Sequence, residues 1–568
     1  MQKHWSELRG LEDTAVVRLE EAIGCGPVLA RVLAGRGMID PTDAESFLHP
    51  TLDTLSSPLA FAGAEAAIER LLAAVESGER ILVFGDFDVD GVTGTSLAYL
   101  GLRAVGANVD WLLPRRMDHG YGLSERVLPE VLARKPGLLL TVDCGIRSVQ
   151  EVASLRESGV DVVVTDHHEA GPELPPAVAV VDPKQPGCPY PDKNLAAVGV
   201  VYQLLRGLNS RTGHFTDPTA DLDLVALGTV ADVVPLVGEN RALVREGMRV
   251  LNRRAKVGVH TLLQESGIEG QVEPWHIAFL LGPRINAAGR LGDASDAVRL
   301  FTAEDTTTAA DLARSLGEAN RARQDISRTT VEDALAAIDR GTAGDQPDGI
   351  VLASNSWHPG VLGIAASKVV ERHYRPTVLF SFDGSDTGRG SARSIAGVDV
   401  HAALEECADL LVQFGGHSMA AGMTIDRAHL SDFRTRFAGA IGSQLTEKNS
   451  RPLLRIDTDL EEASVTLDLA EELDRMGPFG LGNPRPVFLM RNVDPVDRRV
   501  VGKGHLKLRL SDGAEGGLEC IGFNLGEEVS ARPFPPGRVD LVGTVNVNEW
   551  RGRRTPQLRV DDFREATP

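Results

Sequence analysis

Five runs in the first half of the chain are apolar at nearly every position: "ILVFG" (81–85), "VDWLLP" (109–114), "LLLTVD" (138–143), "DVVVTD" (161–166) and "AVAVVDP" (177–183). A run without polar alternation predicts a strand buried on both faces. Helix-length spacers between such runs predict a parallel sheet covered by helices, an α/β doubly wound domain. Residues 1 to about 75 read as helical, with the amphipathic "AEAAIERLLAAVESGER" stopping at Gly78. Beyond the strands, 221–253 reads as one long helical region. A second helical stretch, apolar at Leu312, Leu316, Ile326, Leu335 and Ile338, runs to about 340.

The Gly, Asp and Pro of "GTAGDQPDG" (341–349) mark a boundary, after which the strand–turn–helix–strand order of "IVLASN", "WHPG", "VLGIAASKVVERH" and "PTVLFSF" predicts a second α/β unit. From about 452 the texture changes to short alternating strands with frequent Gly and Pro ("HLKLRLSDG", "LECIGFN", "RVDLVGTVNVNEW", "PQLRVDDF"), the pattern of a small barrel. The expected domains are 1–50, an N-terminal helical segment; 51–220, the doubly wound domain; 221–340, a helical connector and the start of a second lobe; 341–450, the second α/β domain; and 451–568, the barrel.

Four of the five strands end at an acid: Asp86, Asp143, Asp166 and Asp182. Ligands of open α/β sheets bind outside the carboxyl ends of the strands, so topology alone brings these side chains to one rim, where a positive group must separate them. In "GDFDVDG", period-two spacing puts Asp86 and Asp88 on one side of the extended chain while Asp90-Gly91 makes the turn. Asp and Gly after a strand are also ordinary turn residues. Asp166 is followed by His167 and His168, and two histidines on a carboxylate rim suit Mn²⁺ or another borderline cation, whereas all-oxygen sites suit Mg²⁺. Asp232 sits in the apolar "ALGTVADVVPL" and needs a partner, either an arginine or a metal.

Basic groups suited to phosphate lie further on: Arg284, Asn286 and Arg290 in "GPRINAAGRLGDA", Arg323 and Gln324 in "NRARQ", and Arg389, Ser391, Arg393 and Ser394 in "GRGSARS". With His358 in "SWHPG" and Gly415, Gly416 and His417 in "FGGH", they are expected to form a wall facing the acids. Tyr121, Trp357, Phe523 and Trp550 are the candidate stacking platforms for bases.

The formal charge of −21 would by itself argue against a polyanionic substrate, but acids gathered around bound cations distort that sum. It also hides a local basic patch in the barrel: Arg551, Arg553 and Arg554 in "EWRGRRTPQLR", extended by Lys503 and Lys507. No stretch approaches a membrane span, and the acid-bearing N-terminus does not read as a secretory signal, so a cytoplasmic protein is expected. Five scattered cysteines without a Cys-x-x-Cys pair indicate reduced core thiols. A nucleophilic Cys144 is set aside for its apolar approach strand.

"GDFDVDG", "TVDCG", "TDHH" and "ALGTVADVVPL", in this order, resemble the motif series of the DHH phosphoesterase superfamily, and of its RecJ branch in particular. "GPRINAAGRLGDA", "WHPGVLGIAASK", "GSARS" and "GGHSMAAGM" resemble the DHH-associated domain. "PFGLGNPRPVF" and the barrel resemble the RecJ OB domain. The resemblance implies a single-stranded-DNA-specific 5′-to-3′ exonuclease of DNA repair and recombination that releases nucleoside 5′-monophosphates with Mn²⁺, two ions, or Mg²⁺ as the alternative. It implies Asp86, Asp88, Asp143, His167 and Asp232 as metal ligands, Asp143 as the bridge, His168 at the scissile phosphate, and Asp90 and Asp166 in support. Leu82 stands where smaller members carry a histidine, which leaves the first ion one ligand short. Longer branch members continue past the barrel, so a partner site on such an extension is expected to be absent here.

Two other readings fit parts of the pattern. One is a DHH phosphodiesterase acting on short oligonucleotides or cyclic dinucleotides, which would have little need of a barrel. The other is a catalytically dead DNA-binding scaffold, which would have lost ligands. The expected partners are single-stranded DNA and a single-strand-binding protein or a helicase. A monomer with no membrane association is expected.

Overall fold

The computed structural model describes residues 3–6, 13–212, 218–341, 348–502, 504–510, 517–526, 529, 533–535 and 537–566, apart from the side chains of 116, 117 and 212. The chain forms two compact units. One comprises 50–325 and 478–484, the other 1–49, 326–477 and 485–568.

The first of these is built on five parallel strands: β1 (Ile81–Gly85), β2 (Val109–Leu112), β3 (Leu138–Val142), β4 (Asp161–Thr165) and β5 (Ala179–Val181), in the order β2-β1-β3-β4-β5. β1 and β3 are buried at every position, as continuous apolar runs require, and the expected strands are all present. The chain leaves β1 in one direction to form β2 and in the other to form β3, so the topological switch point, where open α/β sheets place their ligands, falls between β1 and β3. Leu82, in the middle of β1, is a core residue.

Helices α1 (Val89–Ala104), α2 (Ala197–Thr212) and α3 (Leu222–Ala231) pack together on the sheet. A β-carbon on Gly228 would stand 2.4 Å from Thr93 Oγ1 and 2.9 Å from Asp90 Oδ1, so the bare α3 backbone is what lets it close on α1. The 221–253 region is two helices, α3 and α4 (Gly238–Arg253), not one. Pro235 lacks the N–H an unbroken helix would need, and Val233 takes a φ of 62°, turning the chain just after Asp232. Further helices follow, among them α5 (Gly282–Leu291) and α6 (Thr306–Asp339).

The other unit holds the second α/β sheet: β6 (Ile350–Ser354), α7 (Leu362–His373), β7 (Thr377–Ser381), β8 (Thr387–Arg393), β9 (Leu411–His417) and β10 (Ala420–Asp426). Its strand order is β9-β10-β8-β7-β6, with only β6 and β7 parallel. The barrel follows, from β11 (Phe488–Val493), β12 (Pro495–Val501), β13 (His505–Leu510), β14 (Glu519–Gly522), β15 (Val539–Trp550) and β16 (Arg553–Glu565). β11 pairs with β15 and β12 with β13, and a single residue, Asp494, separates β11 from β12. One bent strand therefore closes the ring β15-β16-β14-β13, with β14 and β16 parallel. This is the five-stranded connectivity of an OB fold.

Helices Asp13–Ile23, Pro27–Gly35 and Pro41–Leu48 lie in the same unit, tied to its C-terminal part by Arg36–Asp457 (2.8 Å) and by the Gly26 N–H donating to Glu472 (2.6 Å).

The turn after β1 has no room for a side chain at Gly91. A β-carbon on Gly91 would stand 2.4 Å from the Asp86 carbonyl oxygen and 2.7 Å from its nitrogen, both backbone atoms with nowhere to move. Gly91→Ala is expected to destabilise the metal-free protein by about 1–3 kcal/mol in urea unfolding. An unchanged midpoint and slope would refute that close approach.

Candidate metal centre

Sheet register sets the level of the site. Gly85 is paired with Val142, Val142 with Thr165, and Thr165 with Val181, so the next residue on each strand, Asp86, Asp143, Asp166 and Asp182, emerges on one row. The Asp86, Asp143 and Asp166 N–H groups donate to Val142, Thr165 and Val181 at 3.1–3.2 Å, extending the ladder to the rim. Asp143 itself has a φ of 62°, a left-handed conformation that aspartate tolerates better than most residues.

Three sets of side chains have ligand atoms lying within 4.8 Å of one another: Asp86, Asp88 and Asp143; Asp90, His167 and Asp232; and Asp143, His167 and His168. Asp143 and His167 are each shared between two sets. His167 Nε2 is 3.2 Å from Asp143 Oδ1, 3.7 Å from Asp232 Oδ2 and 3.9 Å from Asp90 Oδ2. Asp86 Oδ1, Asp143 Oδ1 and His167 Nε2 are buried without a hydrogen-bond partner. Buried polar atoms left unmatched on such a scale are costly, and carboxylates with an imidazole are the donors a divalent cation takes. The residues therefore fit a divalent-metal site.

The remaining rim acids are engaged differently. Asp90 accepts the Ala197 and Val198 N–H groups at the start of α2 (2.7 and 2.9 Å). Asp166 accepts N–H groups from Ile146, His167 and His168, and its Oδ1 lies 2.7 Å from His168 Nδ1. Asp88 caps α1 through the Gly91 N–H. Asp182, although on the same row, belongs to none of the three sets and takes the Lys184 N–H.

The electrostatics follow from crowding. Burial, and then the neighbouring charge of Asp88, raise Asp86 and Asp90 to about 7. Burial together with Asp90 and Asp88 raises Asp232 to about 9. Asp143 is pushed well above the carboxylate range by burial and four acidic neighbours. Burial and the charge of His168 lower His167 to about 3, leaving it neutral and able to ligate. Burial acts to lower His168 as well. The hydrogen bond and charge of Asp166, with Asp232 and Asp88, outweigh it and hold His168 near 9, so it is an imidazolium at neutral pH.

Tyr121 is exposed and tilts over Phe87 at 5.1 Å between ring centroids, next to Asp86 and Asp88. Arg284, Asn286 and Arg290 lie on α5, and Arg323 and Gln324 on α6, in the same unit as the acids. Arg323 donates to Asn320 (2.8 Å) and Arg284 to the Leu280 carbonyl (2.6 Å). His358, Arg389, Ser391, Arg393, Ser394, Gly415, Gly416 and His417 belong to the other unit. There Arg389, Ser391 and Arg393 alternate along β8 to one face. Arg393 is paired through Ala420 with His417, and Ser391 through Gly422 with Gly415.

Arg393 donates to Ser391 Oγ (3.1 Å), and both reach the first turn of α7 at Gly363. His358 accepts the Gly360 N–H just before it. The Ser394 hydroxyl is spent on the Val398 carbonyl (2.6 Å), and Trp357 is buried. On the barrel, Lys507 pairs with Glu519 (3.0 Å), Arg554 pairs with Glu471 (2.6 Å), and Arg551 lies 5.8 Å from the Trp550 ring centroid. Lys503 lies outside the described residues.

Sequence reasoning passed over Trp275 and Phe279, both exposed on a helical turn whose following residue, Gly282, lies near Val89 and Ala231, neighbours in sequence of the rim acids Asp88, Asp90 and Asp232. Their four-residue spacing in "PWHIAFLL" was the available signal. It also passed over Lys184, two residues beyond Asp182, whose charge acts on His167 and Asp232.

The sequence matches three family models: the DHH family, N-terminal domain, over 80–229; the DHHA1 domain over 347–443; and the RecJ OB domain over 456–562. It is 37% identical over 98% of its length, and 70% of the relative's, to a Bacillus subtilis protein named single-stranded-DNA-specific exonuclease RecJ. To the Escherichia coli protein of that name it is 36% identical over 94% of its length and 96% of the relative's. The chain belongs to the RecJ family. A crystal structure of RecJ with Mn²⁺ from Thermus thermophilus superposes over 100% of this chain and 80% of that one, at TM-score 0.85 and 32% identity. Its Mg²⁺ counterpart gives a TM-score of 0.79 at 30% identity, covering 100% of this chain and 78% of that one. Divalent-metal use is thus a property of the RecJ family, and the described chain has no helix long and apolar enough to cross a membrane.

The raised carboxylates make stability depend on pH. Because Asp86, Asp90 and Asp232 titrate above the ordinary value of 3.8, the metal-free folded state holds more protons than the unfolded chain. Their contribution to stability therefore falls as pH rises from about 4, closing near 7 for Asp86 and Asp90 and near 9 for Asp232. Mn²⁺ binding displaces those protons, so the gain in Tm on adding Mn²⁺ to chelated protein is expected to grow from about pH 5 to about pH 8. An equal gain at both ends of that range would contradict the arrangement.

Proposed function

We propose that this chain is a cytoplasmic single-stranded-DNA-specific 5′-to-3′ exonuclease that hydrolyses phosphodiesters with two divalent ions and releases nucleoside 5′-monophosphates. The observation that carries the reading is the overlap of the donor sets at Asp143. Asp86, Asp88 and Asp143 would hold one ion, and His167 with Asp143 (3.2 Å) and Asp232 (3.7 Å), members of the two sets that share His167, the second, with Mn²⁺ favoured by the imidazole and Mg²⁺ as the alternative. Bound ions supply an acidified water and the charge that stabilises the departing 3′ oxygen.

The chain's own residues do the rest. Asp90 and Asp166 hold α2 and the His167–His168 turn in place through backbone N–H groups. His168, kept as an imidazolium by Asp166, offers its charge and a proton to the phosphate. Ser391 and Arg393, at the first turn of α7, and Arg389 on the same face of β8 offer a cationic face for a terminal phosphate. Tyr121, Trp275 and Phe279 are exposed rings on which unpaired bases can stack. The complete ligand set disfavours a dead scaffold, and the closed OB barrel disfavours a substrate of only a few nucleotides.

Asp143→Ala is expected to abolish Mn²⁺-dependent hydrolysis while DNA affinity measured in chelator stays close to wild type. Substantial Mn²⁺-dependent turnover in that variant would end the two-ion assignment. Wild-type enzyme should release labelled mononucleotide at once from a long 5′-labelled strand. Slow loss confined to very short oligomers would favour the small-substrate alternative. On the barrel, Arg551→Ala with Arg553→Ala should lower the slope of log affinity against log salt by about one per lost phosphate contact, and Arg554→Ala by less because Glu471 already pairs it. An unaltered slope in the double variant would place the DNA track elsewhere.

A further inference from the structure

"PFGLGNPRPVF" drew attention through its likeness to the family's barrel, and the RecJ OB match spans it. Its first seven residues, Pro478–Pro484, nevertheless pack within the unit that carries the acids. There Arg241 on α4 donates to the Pro478 carbonyl (3.5 Å), and the closer contacts are made with the loop that leaves Asp232. The Leu236 N–H donates to the Leu481 carbonyl at 2.7 Å. A β-carbon on Gly480 would stand 2.7 Å from Leu236 Cδ1, and one on Gly482, where φ is +75°, 3.0 Å from Pro235 Cβ.

The segment is stiff. Gly480 and Asn483 exchange both backbone hydrogen bonds (3.0 and 3.1 Å), and the buried Asn483 side chain donates to the Pro478 carbonyl (2.9 Å). From the other direction, Asn240 donates to the Pro235 carbonyl (3.2 Å) and the Asn194 carbonyl (2.6 Å). The 233–237 loop is held between the two.

Asp232 needs such a hold. Asp86 and Asp143 continue buried strands, and Asp88 caps the start of a helix. Asp232 instead caps the C-terminus of α3, where the helix dipole opposes a carboxylate. The next residue, the β-branched and exposed Val233, is in the left-handed region, and the Asp232 side chain is 22% exposed against 3% for Asp143. We propose that residues 478–484 form a strap that positions Asp232 for metal binding. The metal affinity of the acidic rim then depends on a backbone segment contributed by the last fifth of the sequence. This rests on Asp232 being a metal ligand.

The test uses the full chain and direct Mn²⁺ binding, read by EPR of free Mn²⁺, for Gly480→Ala, Gly482→Ala, Leu481→Ala and Asp232→Asn. Both glycine variants should bind Mn²⁺ about tenfold more weakly, as loss of a group that orients a ligand does, with turnover recovering at saturating Mn²⁺. DNA affinity in chelator and the far-UV circular dichroism should stay at wild type, which a general loss of structure would not allow. Leu481→Ala should bind Mn²⁺ normally, because only its backbone makes the contact and its side chain is 55% exposed.

Wild-type Mn²⁺ affinity in both glycine variants, with affinity lost in Asp232→Asn, overturns the strap. Wild-type affinity in Asp232→Asn overturns the ligand assignment beneath it instead. If Gly482→Ala does not fold, Gly480→Ala decides alone, since no left-handed backbone is required there.

Discussion

Carboxylates that meet at the edge of a buried sheet repel one another, and the arrangement of this molecule answers that repulsion. Ligand atoms of Asp86, Asp88 and Asp143 lie within 4.8 Å of one another. Two unit charges about 4 Å apart repel by roughly 4 kcal/mol at an effective dielectric near 20, more than a typical hydrogen bond returns. The sheet cannot relieve this, because the register that stabilises β1, β3 and β4 is what brings Asp86, Asp143 and Asp166 to one row. Protonation relieves it partly, and burial together with that repulsion pushes Asp86 and Asp143 above the usual carboxylate range. A divalent cation relieves it fully and leaves the carboxylates in the form that can ligate.

The rim divides its aspartates by where their second partner comes from. Asp90 and Asp166 are saturated by backbone N–H groups, so each converts its charge into a fixed position for the start of α2 or for the His167–His168 turn. Asp86 and Asp143 keep a buried oxygen without any partner. The histidines divide in the same way. His168 draws its proton from the pairing with Asp166, while His167, buried and beside that cation, stays neutral. One short turn therefore supplies a neutral imidazole, kept so mainly by burial, and a positive charge at neutral pH that Asp166 sustains.

What could be read from the sequence follows from these causes. Unbroken apolar runs fixed the five strands, and because four of them end at an acid, the rim could be inferred before any contact was known. Which acids face a cation could not, since Asp86, Asp90, Asp166 and Asp182 are the same residue type and differ only in the N–H groups around them. The break after Asp232 was visible in Pro235 but masked by the apolar residues flanking it. Barrel closure through Asp494 depends on pairing between residues far apart in sequence, and so does the packing of Pro478–Pro484. Composition misled in one respect: Trp357 counted as a candidate stacking ring and is core, while the exposed Trp275 and Phe279 went unnoticed.

Net charge is a poor guide to how this molecule holds an anion, for reasons visible on both units. Several of the acids in the sum meet at the rim, in donor sets that fit a divalent cation, and the barrel's bases are partly answered by its own acids, Lys507 by Glu519 and Arg554 by Glu471. What the barrel presents instead is mixed. Arg559 lies 5.4 Å from the Phe523 ring centroid with His505 edge-on at 5.3 Å, and Arg551 lies beside Trp550. Such surfaces combine stacking with charge and depend less on ionic strength than an array of lysines would. A single strand exposes the faces of its bases and a duplex hides them, so a surface that gains from stacking favours the single strand.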